Sequence, residues 1–541
     1  MNKYIIGSVV AVMSLSSCSD FLDVQPEGNP STGNFFTNDQ QAIDAIDYIY
    51  ARFPQENMFG RELFWEQGAA NDIVWGKTRS FPTIATFKYT GDESCISDSF
   101  NEFYKRIAYS NYVIKNLLNK ENRSAIETRS LGEAYFLRAF SHFWVAHRYG
   151  TNEGGVPFVR WEDFEGEYDN SIPPQSATVM DDYRMIIEDL DAAMSYLPRF
   201  EEYSADDQGR AHKAACLGYK AKTYAYWATW DETKWNDVIT CVDQLENEYG
   251  RGLADEFDDN FSPDFAKFWT REYIWTIPST GGTKMGGVEL PGVMLENKGW
   301  GIYNGWGQIK PSNDIYEEML KDGVDNERLL SSILTYGQKF MFFGEEREFF
   351  SESDLNSGFQ VYKYQKAFAT EDCQETGLVS TNGNWPTVRM NFPLMRFAEL
   401  MLFRAEAYLM QGNGAKAAED INAIRVRSHL TPLSGAATMA DLYHERRCEL
   451  AFEYTNHLFD LKRWHRSSNA EIKALAAAEL NARPTVRYYE ERENPASAYT
   501  VDFYEDYTDK LPYNDNFMTF PFPSKQVTQS NGALKQLPCW Q

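Results

Sequence analysis

Apolar residues recur every three to four positions along most of the chain, and this spacing predicts a mostly α-helical protein. The third predicted helix carries a broad apolar stripe and should end at Gly150, because glycine is favoured just beyond the last turn. Residues beyond about 470 show no clear period and are predicted to be irregular. The predicted helices cover residues 38–53, 97–119, 124–149, 176–197, 211–230, 235–247, 394–411, 414–428 and 439–465.

The region between these helices has a different character. Residues from about 250 to 310 are rich in glycine and aromatic residues and show little periodicity. Residues 340–365 include alternating stretches such as 359–364 (FQVYKY), which predict a small β-hairpin. Paired helices with small residues, such as Ala405 and Ala407 before Gly412, resemble tetratricopeptide (TPR) units. We therefore predict a TPR-like scaffold of helical pairs, with about four degenerate repeats, a large irregular loop-rich region and small β-hairpins.

We expect one domain over residues 18–541 after a leader at residues 1–17. Its parts are an N-terminal helical part (about 37–250), a loop-rich ligand-binding part (about 250–390), and C-terminal TPR-like helices with a tail (about 391–541). The leader has a basic start at Lys3, an apolar stretch too short to span a bilayer, and Leu15-Ser16-Ser17 before Cys18. This resembles a bacterial lipobox, in which Cys18 is acylated; the alternative is an ordinary secretory signal.

Charge and composition narrow the class of partner. The net charge of −27 disfavours nucleic acid and anionic membrane surfaces. The chain has 36 Phe, 32 Tyr and 14 Trp, and rings of this kind serve both as core and as ligand platforms. Composition thus favours a large binding protein, and the resemblance of the leader to a lipobox implies that a lipid, rather than a spanning helix, attaches it to the membrane.

Motifs of enzyme chemistry are incomplete. His444-Glu445 begins a zincin-like HExxH motif, but Cys448 stands where the second histidine is needed. There is no GxSxG elbow, P-loop or EF-hand loop, and the six cysteines after Cys18 are too widely spaced for a zinc ribbon. We therefore predict no enzyme, no cofactor and no dedicated metal site, and expect the thiols to be isolated and buried.

Two loop segments have residues suited to saccharide. A flat ring covers the apolar face of a sugar, while Asn, Asp or Arg pairs with its hydroxyls. The alternative for any one of these rings is that it packs a loop onto the scaffold. The predicted ligand-binding residues are Asn71, Asp72, Trp75 and Arg79 in the first segment, and Trp300, Tyr303 and Trp306 in the second.

Several motifs together resemble those of the SusD/RagB family of outer-membrane lipoproteins, in that family's order. The block that begins at Glu445 is the most specific of them; Cys448 departs from it, since the family usually has an arginine there. We interpret this block as structural, with ion pairs at helical spacing among Arg446, Arg447, Glu449 and Glu453. The motifs are DFLD at 20–23, EAYFLRA at 133–139, GVP at 155–157, RAEAY at 404–408, ERRCELAFE at 445–453, DLKRW at 460–464 and PFP at 521–523.

The resemblance implies a glycan-binding protein that is lipid-anchored in the cell outer membrane and faces outward. It further implies delivery of oligosaccharide or polysaccharide to a SusC-like TonB-dependent transporter for nutrient uptake. The same two loop segments would converge on one face as the binding platform. Alternatives are a surface lipoprotein that captures peptides, and a structural or adhesion component.

Overall fold

The computed structural model describes residues 36–75, 81–163, 175–279, 288, 290, 295, 305–350, 357–371, 374–379, 386–388 and 390–541. The chain is mostly helical in this part, as predicted. Among the helices described, none has both the length and the apolar character needed to span a bilayer. The α-helices are α1 (Asp39–Tyr50), α2 (Phe81–Ala85), α3 (Ser94–Leu117), α4 (Ala125–Tyr149), α5 (Val179–Tyr196), α6 (Lys213–Trp227), α7 (Trp235–Asn247), α8 (Asn313–Leu320), α9 (Glu327–Ser332), α10 (Phe397–Met410), α11 (Gly414–Arg427), α12 (Met439–Glu449), α13 (His457–His465), α14 (Ala470–Asn481) and α15 (Ser524–Gln529).

Helix α4 shows how the sequence sets an element and its environment. Ser124 caps its first turn and exchanges hydrogen bonds with Glu127 in a capping box, which satisfies N–H groups that the helix leaves free. The helix ends at Gly150, as predicted. Nearly all of α4 beyond its first turns is buried, because α3 and α5 pack on it from either side. Rings of Phe140 and Trp144 join the aromatic core there.

Consecutive helices form the predicted scaffold. Helices α3 to α7 pack against one another in sequence, and α10 packs on α11 and on both α6 and α7. The contact of α10 with α6 and α7 joins the N-terminal and C-terminal parts of the stack, although residues 250–390 separate them in the chain. Described cysteines are free thiols, buried at Cys95, Cys216, Cys241 and Cys448 and half-buried at Cys539, as predicted; Cys373 lies outside the described residues.

Short antiparallel strand pairs cover the scaffold. A small hairpin is present in the region 340–365, but it is β5–β6, whereas the alternating residues 359–364 contribute β7, which pairs with the earlier strand β4. The pairs are β1–β3, β2–β10, β4–β7, β5–β6, β8–β9 and β11–β12. The strands are β1 (Ile73–Trp75), β2 (Tyr273–Ile277), β3 (Ile309–Pro311), β4 (Ile333–Thr335), β5 (Lys339–Phe342), β6 (Glu345–Glu348), β7 (Phe359–Val361), β8 (Gln374–Val379), β9 (Pro386–Val388), β10 (Phe392–Arg396), β11 (Thr485–Tyr489) and β12 (Tyr499–Phe503).

The C-terminal region differs most from expectation. The single helix predicted over 439–465 is two helices, because Phe452 and Asn456 adopt positive φ angles of 65° and 62° between α12 and α13. A left-handed residue cannot continue a right-handed helix. The region beyond 470, predicted to be irregular, contains α14, the β11–β12 hairpin and α15.

The charged block at 445–453 has a structural role, but its ion pairs are not the predicted ones. Arg396, at the end of β10, lies 2.9 Å from Glu449 and 2.7 Å from Glu453. Arg446 reaches Asp460 on α13 at 2.7 Å. Burial alone would raise the pKa of Glu449, but Arg427 and Arg396 outweigh this effect and lower the pKa to about 2. These pairs join separate elements instead of successive turns of one helix.

Candidate functional site

Strands β1 and β3 bring together the described parts of the two predicted binding segments. Trp75 faces Ile309 and Ile73 faces Pro311 in a three-residue antiparallel ladder. Because the strands run in opposite directions, the last residue of β1, Trp75, and the first residue of β3, Ile309, lie at the same end. We call this the outer end; the end at Asp72 and Ser312 is the inner end. Residues 76–80 and 296–304, and with them Arg79, Trp300 and Tyr303, lie outside the described residues, as does Cys18.

Hydrogen bonds fix the inner end. Asn71 follows a 3-10 helix with a left-handed φ of 60°, which asparagine tolerates better than most residues. The Ser312 N–H donates to the Asp72 carbonyl at 3.0 Å, and its hydroxyl donates to the Asn71 carbonyl at 2.6 Å. The Asn71 side-chain amide donates to the Glu479 carbonyl at 2.9 Å. The inner end is thereby tied to α14.

A buried ionic cluster lies directly behind Asp72. Arg447 Nε donates to Asp72 Oδ1 at 2.8 Å, and His457 Nε2 lies 3.0 Å from Glu479 Oε1. Tyr443 donates its hydroxyl proton to Glu479 as well. Burial raises the pKa of Asp72 to about 6 against the opposing effects of Arg447 and His457. A buried carboxylate of this kind is tolerated because cations and donors surround it.

The structure corrects three predicted site residues. Asn71, Asp72 and Trp75 are 2%, 6% and 1% exposed, so Trp75 is not a surface stacking ring. All three residues of β1 are buried, because the strand lies inside the molecule with its backbone paired to β3. The Trp75 carbonyl accepts the Tyr504 hydroxyl at 2.5 Å. The polar groups of Asn71 and Asp72 bind the protein itself.

Trp306 is the predicted ring that reaches the surface. It is 36% exposed, and the Arg61 guanidinium lies 5.6 Å from the centre of its ring. Arg61 also pairs with Glu56 at 2.9 Å. A cation–π contact at a partly exposed site contributes about 0.5–1 kcal/mol, so Arg61 helps to hold the indole in place. An indole held in this way can stack on the C–H face of a sugar.

Burial also affects a carboxyl beside Arg61. Glu62 accepts a hydrogen bond from the Ser94 hydroxyl at 3.1 Å. Burial raises the pKa of Glu62 to about 7, and Arg61 offsets only part of this effect. The outer end therefore has a nearby group that can both donate and accept a hydrogen bond near neutral pH.

A cleft of about 500 Å³ opens between α8, α12 and α14, on the inner side of the ladder. Asn71 lies in its wall, and its floor includes Leu475 and three alanines. Most charged groups of this cleft are paired: Glu318 with Lys321 and His444, and Arg447 with Glu479 at 3.8 Å. Asp314 instead accepts hydrogen bonds from Thr485. Sequence reasoning missed the pairs whose partners are separated by long stretches of chain. The charged residues of the lining are Asp314, Glu318, Lys321, His444, Arg447 and Glu479.

His444 shows why this cleft is a poor metal site. Its ring nitrogens lie 2.6 Å from Glu318 and 3.1 Å from Asp322. Burial opposes protonation, but hydrogen bonds to Asp322, Cys448 and Glu318 raise the pKa of His444 to about 12. Asp322, His444 and Cys448 have ligand atoms within 4.8 Å of one another. Since the imidazolium already neutralises these carboxylates, the protein supplies its own cation where a metal would bind.

Comparisons with known proteins cover nearly the whole chain. The family described as "SusD family" matches residues 271–540. The family described as "Starch-binding associating with outer membrane" matches residues 20–225. A SusD-like protein of Bacteroides ovatus is 24% identical over 495 residues, which cover 86% of this chain and 83% of the relative.

Solved structures share the fold. A SusD-like protein of Bacteroides fragilis superposes with a TM-score of 0.71 at 19% identity, over 93% of this chain and 98% of that one. A crystal structure with xylogluco-oligosaccharide gives a TM-score of 0.70 at 20% identity, over 91% and 98% of the two chains.

Proposed function

The chain belongs to the SusD family, and on that premise we propose that it binds oligosaccharide or polysaccharide at the cell surface. We propose further that it delivers the glycan to a SusC-like TonB-dependent transporter of the outer membrane. The proposed binding surface is the outer end of the β1–β3 ladder, where the ring of Trp306 would stack on the sugar.

One observation carries the location of this surface. The ladder pairs Trp75 with Ile309, so the described ends of the two segments that combine rings with hydroxyl-binding side chains lie side by side. A rigid two-stranded ladder that is anchored to α14 provides a preformed base for such loops. Arg79, Trp300 and Tyr303 are proposed to complete the platform together with Trp306.

The ligand class follows from the family and from charge. The description of one matching family includes starch binding and the outer membrane, and a neighbour in fold was crystallised with xylogluco-oligosaccharide. A net charge of −27 repels polyanions, so neutral glycans fit this protein best. We assign no catalytic step, because the buried carboxylates around the ladder are paired with cations of the chain and hold elements together.

Trp306→Ala tests the platform. A glycan array on the protein without residues 1–18 first identifies a ligand, and calorimetry then measures its affinity. Loss of a stacking ring is worth about 1–3 kcal/mol, so we expect a loss of about tenfold or more. Trp230 is the control, since it is a half-buried tryptophan that likewise has an arginine, Arg466, 4.7 Å from its ring centre.

The control separates the hypotheses. We expect Trp230→Ala to keep the wild-type affinity. Equal losses in the two variants would point to a general effect on the fold, and an unchanged affinity in Trp306→Ala would place the ligand elsewhere. Binding of peptides but of no saccharide would favour the alternative of peptide capture.

The lipid anchor at Cys18 is a separate part of the proposal. It is supported by the lipobox-like sequence before Cys18, and we expect Cys18→Ala to release the protein from outer membranes. Fractionation after a salt wash measures this, with Cys539→Ala as the control that stays bound. A Cys18→Ala protein that still sediments with membranes would refute the anchor.

A further inference from the structure

The β11–β12 hairpin exposes apolar residues at a distance in sequence from the proposed glycan platform. All five residues of β12 are exposed. Tyr499, Val501 and Phe503 are 44%, 50% and 48% exposed, and they share one face of the strand because alternate residues point the same way. Soluble proteins seldom expose neighbouring apolar residues without a use for them.

The register shows which backbone groups of β12 point away from β11. The Tyr504 N–H donates to the Pro484 carbonyl, and the Glu490 N–H donates to the Ala498 carbonyl, each at 2.9 Å. In an antiparallel pair, hydrogen-bonded positions alternate, so the even-numbered residues of β12 face β11. The N–H and C=O groups of Tyr499 and Val501 therefore point outward.

The two edges of the hairpin differ in how they are covered. On β11, the Thr485 N–H donates to Asp314 at 2.6 Å and the Arg487 N–H donates to the Ser357 carbonyl at 3.1 Å. On β12, the Phe503 N–H donates a hydrogen bond to Asp502 Oδ1 at 2.7 Å. Natural edge strands are usually protected by lysine, proline or a bulge, but β12 (YTVDF) has none of these and pairs in regular register.

Charge around the hairpin limits what can add to this edge. Seven acidic residues are exposed here, and they outnumber the exposed basic residues Arg492 and Lys88, of which Lys88 pairs with Asp509 at 3.4 Å. The half-buried Arg483 and Arg487 lie 4.1 Å and 4.8 Å from the ring centres of Phe503 and Tyr499 and do not cancel this excess. This rim repels a second copy of the same chain, which has a net charge of −27. It attracts an extended segment with lysine or arginine. The acidic residues are Glu490, Glu491, Glu493, Asp502, Glu505, Asp506 and Asp509.

We propose that β12 is a docking strand, to which an extended, basic segment of a partner protein adds as a third strand of this sheet. Main-chain groups of Tyr499 and Val501 would pair with the segment, and the apolar face of β12 would contact its alternate side chains. The acidic rim would meet its basic residues. Tyr504, which follows β12, donates its hydroxyl to the Trp75 carbonyl, so β12 is joined to the outer end of the ladder. Glycan affinity and cross-link yield are separate measurements, so the two proposals can still fail separately.

Site-specific photo-cross-linking tests this in cells that produce the full-length protein. p-Benzoylphenylalanine replaces Val501 in one sample and Val426 on α11 in another. Val426 is a matched control, since it is also an exposed valine, at 57%. We expect Val501 to give an adduct with another protein, through a segment in which Lys and Arg outnumber Asp and Glu, and Val426 to give none.

A second substitution checks that the adduct depends on the strand edge. With the cross-linker at position 501, Tyr499→Lys should lower the yield about tenfold, since lysine protects an edge and repels a basic segment. Val426→Lys should leave the yield unchanged. Circular dichroism melts would show that both variants remain folded. An adduct with a second copy of this chain, an adduct through an acidic segment, or a yield no higher than at Val426 would each overturn the proposal.

Discussion

The two ends of the β1–β3 ladder use similar residue types for opposite purposes. At the inner end, Asp72 is buried against Arg447, His457 and Glu479, and the polar groups serve the fold. At the outer end, Arg61 supports the partly exposed Trp306. The three residues of β1 separate the buried ionic cluster around Asp72, which anchors the ladder, from the surface at Trp306, which can bind a ligand.

This difference shows that residue types alone do not define a binding platform. An aromatic ring beside amide and carboxylate groups suits both a sugar site and a packed strand. What separates Trp75 from Trp306 is the neighbourhood: Trp75 lies on a strand whose three residues are all buried, whereas Trp306 precedes its strand. Burial is therefore the property that assigns each ring to core or to surface.

The sharpest test of this comparison is the stability of the two tryptophan variants. Trp75→Ala should lower the free energy of unfolding by about 3–5 kcal/mol, because a buried indole leaves a cavity. Trp306→Ala should lower it by about 1 kcal/mol or less, because it removes only a partly exposed ring and its contact with Arg61. Urea unfolding followed by circular dichroism measures both. Similar losses in the two variants would mean that the ends do not differ as described.

The second test concerns two cations that line the cleft. Arg447→Met leaves Asp72 and Glu479 buried without their main cation and should lower the free energy of unfolding by about 3 kcal/mol. This value is at the lower end for broken buried ion pairs, because Asp72 can take up a proton. Lys321 pairs with Glu318 at 2.8 Å, but its side chain is 64% exposed. Lys321→Met should therefore cost less than about 1 kcal/mol. The same urea titrations compare them, and a larger loss for Lys321→Met would contradict the assignment of the inner end as the anchor.

How far the sequence predicts this molecule depends on the range of the interactions involved. Helix α7 was predicted with its observed bounds, and Gly150 ends α4, because periodicity and capping act within a few residues. The pair of Asp72 with Arg447 joins positions 375 residues apart, and no local pattern reveals it. The same holds for the break between α12 and α13, where Phe452 takes a left-handed conformation that its residue type does not suggest.

Of the candidate site, the sequence singled out both segments, but it predicted exposed side chains at positions of β1 that are buried. Trp306 is on the surface as expected, whereas Trp75 is covered by elements from the end of the chain, including Tyr504. The edge of β12 was not expected at all, since residues beyond 470 show no clear period. Strands this short are stabilised by their partners, so local propensity predicts them poorly.

The smallest expected effect is the pH dependence of the inner end. The pKa of Asp72 is raised from its usual value of 3.8 to about 6, mainly by burial. Between these values the folded protein holds a proton that the unfolded chain has lost, so this carboxyl makes the free energy of unfolding fall as pH rises. From about pH 4.5 to 6 the change is about 1.5 kcal/mol. The raised pKa of His457, which Glu479 causes against the effect of burial, acts in the same direction at higher pH.

Asp72→Asn should remove the contribution of the Asp72 carboxyl to this pH dependence. The stability of the wild type relative to this variant should therefore decrease from pH 4.5 to 6. Urea midpoints at several pH values measure this, with Asp237→Asn on α7 as a control whose difference from the wild type stays constant. A relative stability that rises with pH would mean that Asp72 is held as a carboxylate and that Arg447 outweighs its burial.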